Sequence, residues 1–166
     1  MPHVPFEYAQ WLFPLAITIH NIEEALRLPE WSARAERFHK PVGAFEFRFA
    51  VIILTLLGYV ITLLSFLHGA NSVATGLFCA YCLAMLLNTF MPHLAATIVL
   101  RRYAPGLATG LLVNVPFTAW LLHLAFAQGH VTWKMLAISS VIMIPALLGS
   151  IPLLFAAGRA LRKWKH

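Results

Sequence analysis

The stretch FEFRFAVIILTLLGYVITLLSFL, residues 45–67, decides the fold, because it is long and apolar enough to cross a lipid bilayer as one helix. A transmembrane helix needs about 20 predominantly apolar residues to span the hydrocarbon layer. The whole chain has the same character: of its 166 residues, 60% are hydrophobic and only 11% are charged. An ordinary soluble domain has roughly 25% charged residues. The composition therefore excludes a typical cytosolic globular protein and predicts a polytopic membrane protein.

Four further apolar segments accompany this one, over residues 6–28, 73–100, 107–127 and 133–157. The last three are long enough to cross alone, whereas the first has an uninterrupted apolar part of only residues 11–17. We predict one all-α domain, residues 1–166, built as a transmembrane helix bundle with five spans. Four spans are the alternative, if the first segment lies on the membrane surface. Residues 29–44 mix aromatic and charged side chains, which predicts an amphipathic cytoplasmic connector, with a solvated connector as the alternative.

The basic residues predict the orientation of the bundle. All but one of the 12 lysines and arginines fall within residues 27–48, 101–102 and 159–165, which share one side of the membrane if the chain crosses at every segment. Only Lys134 falls on the other side. The positive-inside rule then predicts an outside N-terminus and a cytoplasmic C-terminus, in the cell (inner) membrane. The net charge of +6 is spread in short clusters, so we expect membrane lipids rather than nucleic acid as partners.

One pentapeptide, His20-Asn21-Ile22-Glu23-Glu24, carries unusual chemistry for such a chain. Ionisable groups next to a bilayer are costly and usually functional. On a helix, residues three and four positions apart share a face, so both glutamates lie on the face of His20. Glutamate and histidine at this spacing bind metals inside helical bundles, and imidazole with carboxylate suits zinc or iron. The pentapeptide therefore predicts part of a divalent metal site.

His93 is the candidate for the ligand from a second helix. It lies eight residues before Arg101, and His20 lies eight residues before Leu28. At about 1.5 Å per residue, both histidines are roughly 12 Å in from the cytoplasmic ends of their segments. We therefore predict a metal site formed by four residues, His20, Glu23, Glu24 and His93.

Two asparagines are predicted to support this site or to bind a substrate there. The same spacing places Asn114 at the level of the histidines, and Asn88 lies about 7 Å deeper. The ring of Pro92 clashes with the carbonyl group of Asn88, four residues earlier, so we expect a kink and a polar cavity beside His93. Cys79 and Cys82 fall inside an apolar segment, which favours buried, inert thiols over a redox pair.

Three features together resemble the HXXEE-motif family of small integral membrane proteins. They are the pentapeptide at residues 20–24, the second histidine at His93, and Tyr103-Ala104-Pro105-Gly106, which has the form of the family's YXPG element. The resemblance implies that the histidines and glutamates belong to one motif, and that Tyr103 and the proline and glycine after it matter; we predict that Tyr103 supports the site or binds a substrate there. A proline followed by glycine suits a type II turn. The resemblance implies no activity, and the metal is an inference from ligand chemistry alone.

The leading hypothesis is a metal-dependent enzyme that acts on a lipidic or apolar substrate near the cytoplasmic leaflet, with Glu23 and Glu24 as candidate catalytic residues. Zinc would activate water with the free glutamate as general base, which predicts a hydrolase. Iron would be held by two histidines and one carboxylate with positions open for oxygen chemistry, which predicts an oxidoreductase. The alternatives are a small transporter or channel with a proton or ion relay, and an assembly subunit in which the cluster only fastens helices.

Overall fold

The structure is a computed structural model and describes residues 4–33 and 42–164. All regular structure in these residues is helical, which confirms the all-α prediction. The helices are α1 (Phe6–Ala9), α2 (Leu12–Ala33), α3 (Ala44–His68), α4 (Val73–Asn88), α5 (Ala95–Leu100), α6 (Leu107–Thr109), α7 (Val115–Ala127) and α8 (Trp133–Trp164). Two π-helical turns, Thr89–Leu94 and Gly110–Asn114, join α4 to α5 and α6 to α7.

Within the described residues, four helical stretches are long and apolar enough to cross a membrane. They are Ala44–His68, Val73–Leu100, Leu107–Ala127 and Trp133–Trp164. These are the four segments predicted to cross alone, although the last continues to Trp164 rather than ending at Ala157. Their outer faces carry exposed aliphatic side chains, for example those of Ile52, Val141 and Leu153. Exposed apolar surface of this extent is typical of membrane or protein–protein interaction surfaces.

The first segment is also helical, but it is not among these four stretches. Its inner face packs into the bundle through Phe13 and Ile17, whose side chains are fully buried. Phe13 makes edge-to-face contacts with Phe78 and Tyr81 of α4, at ring-centroid distances of 5.4 and 5.3 Å. Such aromatic pairs stabilise a core beyond the area that they bury. The apolar half of α2 is therefore anchored, and this holds its polar half in register against the other helices.

α2 continues past Leu28, where the first segment was predicted to end. Proline lacks the N–H that would hydrogen-bond to the carbonyl group four residues earlier, so Pro29 leaves the carbonyl oxygen of Ala25 without its helical partner. Nε of Arg48 on α3 donates to that oxygen at 3.1 Å. The helix can therefore run on to Ala33. The rest of the predicted connector up to residue 41 lies outside the described residues, and its amphipathic character stays a prediction.

The two cysteines of α4 lie in the centre of the core. Cys79 and Cys82 are fully buried free thiols, among apolar neighbours such as Phe78 and Leu121. This environment agrees with the inert, apolar role expected for them.

Candidate metal centre

A break in the second candidate span turns His93 into the bundle. After Asn88 the chain forms a π-helical turn, and Met91 leaves helical geometry with φ −130° and ψ 107°. Pro92 lies directly after that residue, as the predicted kink requires. The turn leaves the His93 side chain only 3% exposed. The polar ring thus lies inside the protein, where it needs partners.

The loop that follows α5 closes over both histidines. The N–H group of Leu107 donates to the carbonyl group of Ala104 at 3.2 Å, and Gly106 has φ 94° and ψ −17°. These values describe the predicted type II turn, with Pro105 and Gly106 at its two central positions. A Cβ atom on Gly106 would lie 2.6 Å from Cε1 of His93 and 3.0 Å from Cε1 of His20. Glycine is therefore required both by the backbone angle and by the two imidazole rings.

Three predicted ligands meet beneath this turn. Oε1 of Glu24 lies 2.8 Å from Nε2 of His93 and 3.5 Å from Nε2 of His20. The two imidazole rings are nearly perpendicular, with centroids 5.2 Å apart. The three donor atoms all lie within 4.8 Å of one another. Zinc binds nitrogen and oxygen ligands at about 2.0–2.2 Å, so this spacing fits one small divalent cation among the three atoms.

Glu23 points to the loop rather than to this cluster. Its Oε2 accepts hydrogen bonds from the backbone N–H group and the hydroxyl group of Thr109, at 3.1 and 2.7 Å. Its Oε1 accepts a hydrogen bond from the hydroxyl group of Tyr103. The geometry therefore favours a positioning role for Glu23, and its roles as a metal ligand and as a catalytic residue stay predictions.

Thr109 links Glu23 to His20, and this link determines the tautomer of the histidine. Oγ1 of Thr109 also lies 3.1 Å from Nδ1 of His20. A carboxylate only accepts hydrogen bonds, so Thr109 donates its single hydroxyl proton to Glu23. Nδ1 of His20 must therefore be protonated and donate to Oγ1 of Thr109. In the neutral ring, Nε2 of His20 then has a free lone pair. That atom is buried and has no hydrogen-bond partner among the described residues.

Asn88 contacts the cluster, and its role as a supporting or substrate-binding residue stays a prediction. Its Nδ2 lies 3.2 Å from Nε2 of His93. Asn114 is fully buried, and neither of its amide atoms has a partner among the described residues. It is not part of the three-residue group, and its proposed supporting or substrate-binding role stays a prediction.

Tyr103 lies between two candidate spans and contacts the cluster only through Glu23. Its hydroxyl oxygen also accepts a hydrogen bond from the N–H group of Ala108 at 3.1 Å. Partial burial, and then the hydrogen bond that its hydroxyl donates to Glu23, raise the pKa of Tyr103 above its ordinary value of 10.0. The side chain thus fastens the YXPG turn to α2 in its protonated form.

A cavity of about 370 Å³ adjoins the cluster. Its polar end is formed by four side chains, those of Asn21, Glu24, Asn88 and His93. The rest of its wall is apolar and comes mainly from α3, α4 and α8. Ligand sites are commonly largely apolar cavities of roughly 300–1,000 Å³ with a few convergent polar groups. A cavity therefore lies beside His93, as predicted, but it is mainly apolar, whereas a polar cavity was expected.

Two residues of this region have no role in the sequence-based prediction. Thr109 belongs to no recognisable motif. Its position three residues after the YXPG glycine, in the first turn of the next helix, is the one sequence feature that could have indicated a role in the site. Asn21 lies inside the pentapeptide; it lines the cavity and donates from Nδ2 to Oγ1 of Thr55 at 2.7 Å. Neither contact follows from spacing along one helix, because each joins α2 to a different element.

Comparison with known proteins agrees with these features. Residues 11–121 match the model of a family described as "Protein of unknown function with HXXEE motif". The chain is also similar to a protein of Bacillus subtilis (strain 168) described as "Uncharacterized protein YrkK". The two are 45% identical over 147 residues, which cover 88% of this chain and 92% of the relative. No solved structure matches the chain.

Proposed function

The chain belongs to the HXXEE-motif family, and on that premise we propose that it is a membrane-embedded metal-binding protein. His20, Glu24 and His93 hold one divalent cation, zinc or iron. The protein lies in the cell (inner) membrane with this site toward the cytoplasmic leaflet, as the distribution of basic residues predicts.

The observation that carries the proposal is the unsatisfied Nε2 atom of His20. The atom is buried without a partner among the described residues and lies 3.5 Å from a carboxylate oxygen. A lone pair that faces a carboxylate oxygen inside a protein is unfavourable unless a proton or a metal cation lies between them, and we assign this place to the metal. The opposite side of the ring supports the same assignment, because histidine ligands usually donate their second N–H group to a supporting partner. Thr109 is that partner here, and Glu23 orients Thr109.

We further propose that the centre acts enzymatically on an apolar or lipidic small molecule. The support is the cavity, because Glu24 and His93 belong both to the cluster and to the cavity wall. When bound, zinc supplies an activated water and iron supplies open positions for oxygen chemistry, so the activity is that of a hydrolase or an oxidoreductase. Glu24 reaches both the cluster and the cavity, so it is better placed than Glu23 to exchange a proton with a bound molecule.

A proton or ion relay is the second candidate. Its support is the chain of polar contacts that leads from Tyr103 through Glu23, Thr109 and His20 to Glu24. A relay has to continue through the bundle, however. One and two turns deeper on α2, the inward side chains are those of Ile17 and Phe13, which are apolar and fully buried. The polar contacts thus favour a localised site over a transmembrane path.

Metal content tests the proposal. The full-length protein is purified after expression with added zinc, iron or manganese, and the bound metal is quantified by mass spectrometry. We expect one ion per chain in the wild type and its loss in His20→Ala and His93→Ala. The matched control is His123→Ala, because His123 lies exposed on α7 and its replacement leaves the metal content unchanged.

Two outcomes would favour the other candidates. A folded wild type that takes up no metal under any supplementation, and whose stability is the same with and without chelator, excludes the metal centre. Proton flux in liposomes that Glu24→Gln or Glu23→Gln abolishes would then favour the relay. If both histidine variants fail to fold and no metal or flux is found, the cluster is a helix fastener.

A further inference from the structure

We propose that the 370 Å³ cavity binds a single-chain lipid, with its alkyl chain between α3, α4 and α8 and an uncharged hydroxyl or carbonyl head group beside Glu24, Asn88 and His93. This inference rests on the proposed function, because it names the class of molecule that the metal centre would meet. Nothing in the HXXEE motif itself predicts it, because most of the cavity wall lies outside the motif.

The shape of the cavity matches one extended chain. Its wall runs from Phe47 to Leu54 on α3 and from Ile144 to Phe155 on α8. At roughly 1.5 Å per residue these stretches are about 10 and 16 Å long. The volume of about 370 Å³ is near the lower end of the range for small-molecule sites. A lipid with two acyl chains is too large for this space, whereas one alkyl chain fits along it.

The mouth of the cavity faces the apolar layer of the membrane. Four of its lining residues are exposed, namely Leu87, Met91, Pro92 and Leu148, and all four are apolar. They belong to the candidate spans Val73–Leu100 and Trp133–Trp164. A ligand that enters between these side chains comes from the hydrocarbon layer, so the cavity selects a molecule that is dissolved in the membrane.

The polar end selects an uncharged head group. Among the residues that line the cavity in the described parts of the chain, Glu24 is the one acidic residue, and no lysine or arginine is present. Phosphate recognition typically uses arginine or lysine donors, which this wall lacks. The amide groups of Asn21 and Asn88 can both donate and accept hydrogen bonds. They therefore suit a hydroxyl or carbonyl oxygen, which needs few partners to be buried.

Photo-crosslinking tests the inference. The full-length protein in phosphatidylcholine nanodiscs is exposed to a long-chain primary alcohol with a diazirine near the chain end, and the labelled peptides are identified by mass spectrometry. We expect saturable labelling of α3 and α8 that unlabelled alcohol displaces and that the phosphate ester of the same alcohol does not. Ala84 lines the cavity. We expect Ala84→Phe, whose larger side chain fills part of the cavity, to remove the saturable labelling, and Ala84→Leu to reduce it. Ala146→Phe is the matched control, because Ala146 is exposed and lies outside the cavity.

Labelling that does not saturate, or that Ala84→Phe and Ala84→Leu leave unchanged, overturns the inference. Equal displacement by the alkyl phosphate overturns the assignment of the head group. The variant His20→Ala separates this inference from the proposed function, because His20 does not line the cavity. We expect His20→Ala to lose the metal and to keep the saturable labelling. Saturable labelling in a wild-type protein that takes up no metal would support the cavity and contradict the metal centre. A metal-loaded wild type without saturable labelling would contradict the cavity alone.

Discussion

Nδ1 of His20 lies 3.1 Å from Oγ1 of Thr109, and this contact determines which nitrogen of the histidine faces Glu24. Thr109 gives its own hydroxyl proton to Glu23 at 2.7 Å, so the histidine has to donate at Nδ1. Glu23 and Thr109 thereby orient His20 so that its Nε2 atom can bind a cation. Supporting contacts of this kind orient metal ligands and tune their affinity.

Replacing Thr109 by valine tests this link. Thr109→Val keeps the shape of the side chain but removes the hydroxyl group that joins Glu23 to His20. We expect the metal affinity to fall by roughly 10–100-fold while the protein still holds one ion per chain, as is typical when a supporting partner is lost. Competition with a chromophoric chelator measures the affinity.

Two further variants make the result at Thr109 specific. Thr109→Ser restores the hydroxyl group and should recover most of the affinity. Thr62→Val removes a hydroxyl group elsewhere in the bundle that is fully buried and donates, among the described residues, only to the carbonyl oxygen of Gly58 on its own helix, and it should leave metal binding unchanged. Equal losses in Thr109→Val and Thr62→Val would show that the effect is a general one on packing.

The adjacent glutamates should respond differently to the same change. Glu24→Gln removes the carboxylate oxygen that lies near both imidazoles, so we expect metal binding to be lost. Glu23→Gln weakens a supporting contact, and we expect a decrease of roughly 10–100-fold with one ion per chain retained. Metal content and affinity, measured on both variants side by side, check the prediction. Loss of the ion in Glu23→Gln with normal binding in Glu24→Gln would reverse the two roles.

Gly106→Ala should damage the site as well as the backbone. The positive φ of Gly106 is unfavourable for alanine by about 1–2 kcal/mol, and its Cβ atom would also lie 2.6 Å from the ring of His93. Gly129 has a similar φ of 72°, but a Cβ atom there would meet no other part of the described structure within 4 Å. We therefore expect both variants to have a lower melting temperature, but only Gly106→Ala to lose metal affinity. Normal affinity in Gly106→Ala would contradict the tight contact between the turn and the histidines.

The stability that Tyr103 contributes by holding the YXPG turn to α2 should decrease at pH values above 10. The pKa of Tyr103 is raised in the folded protein, so its contribution to stability is fully present below the ordinary value near 10 and is lost as the pH rises through the higher folded value. An absorbance titration of the tyrosines, compared between the wild type and Tyr103→Phe, isolates this group. We expect the difference curve to have its midpoint above pH 10, and a midpoint below 10 would contradict the hydrogen bond to Glu23.

Much of the fold follows from the sequence because membrane spans leave a simple signal. Apolar length alone identified the candidate spans that the structure contains, such as Ala44–His68 and Leu107–Ala127. The end of α2 was harder to predict. Pro29 normally marks a helix end, and its tolerance here depends on Arg48, whose guanidinium group reaches across from α3. A contact between two helices cannot be read from the periodicity of either one.

The part of the site that could be predicted is the part that depends on the chemistry of the ligand side chains and on their depth along the helices. Residue counting placed His20 and His93 at one level, and the structure brings their rings together. The division of labour between Glu23 and Glu24 was not predictable, because it depends on the direction in which each carboxylate leaves α2 and on what the loop after α5 presents to it. Thr109 enters the site through that loop, and no local pattern marks it.

X-ray absorption at the metal edge of the loaded protein directly tests whether His20, Glu24 and His93 hold the metal. We expect an inner shell of two imidazole nitrogens and at least one carboxylate oxygen at about 2.0–2.2 Å from zinc. In His93→Ala, any metal that the protein retains should have only one imidazole ligand. A shell without imidazole scattering in the wild type, or an unchanged shell in both His20→Ala and His93→Ala, would contradict a metal centre formed by these residues.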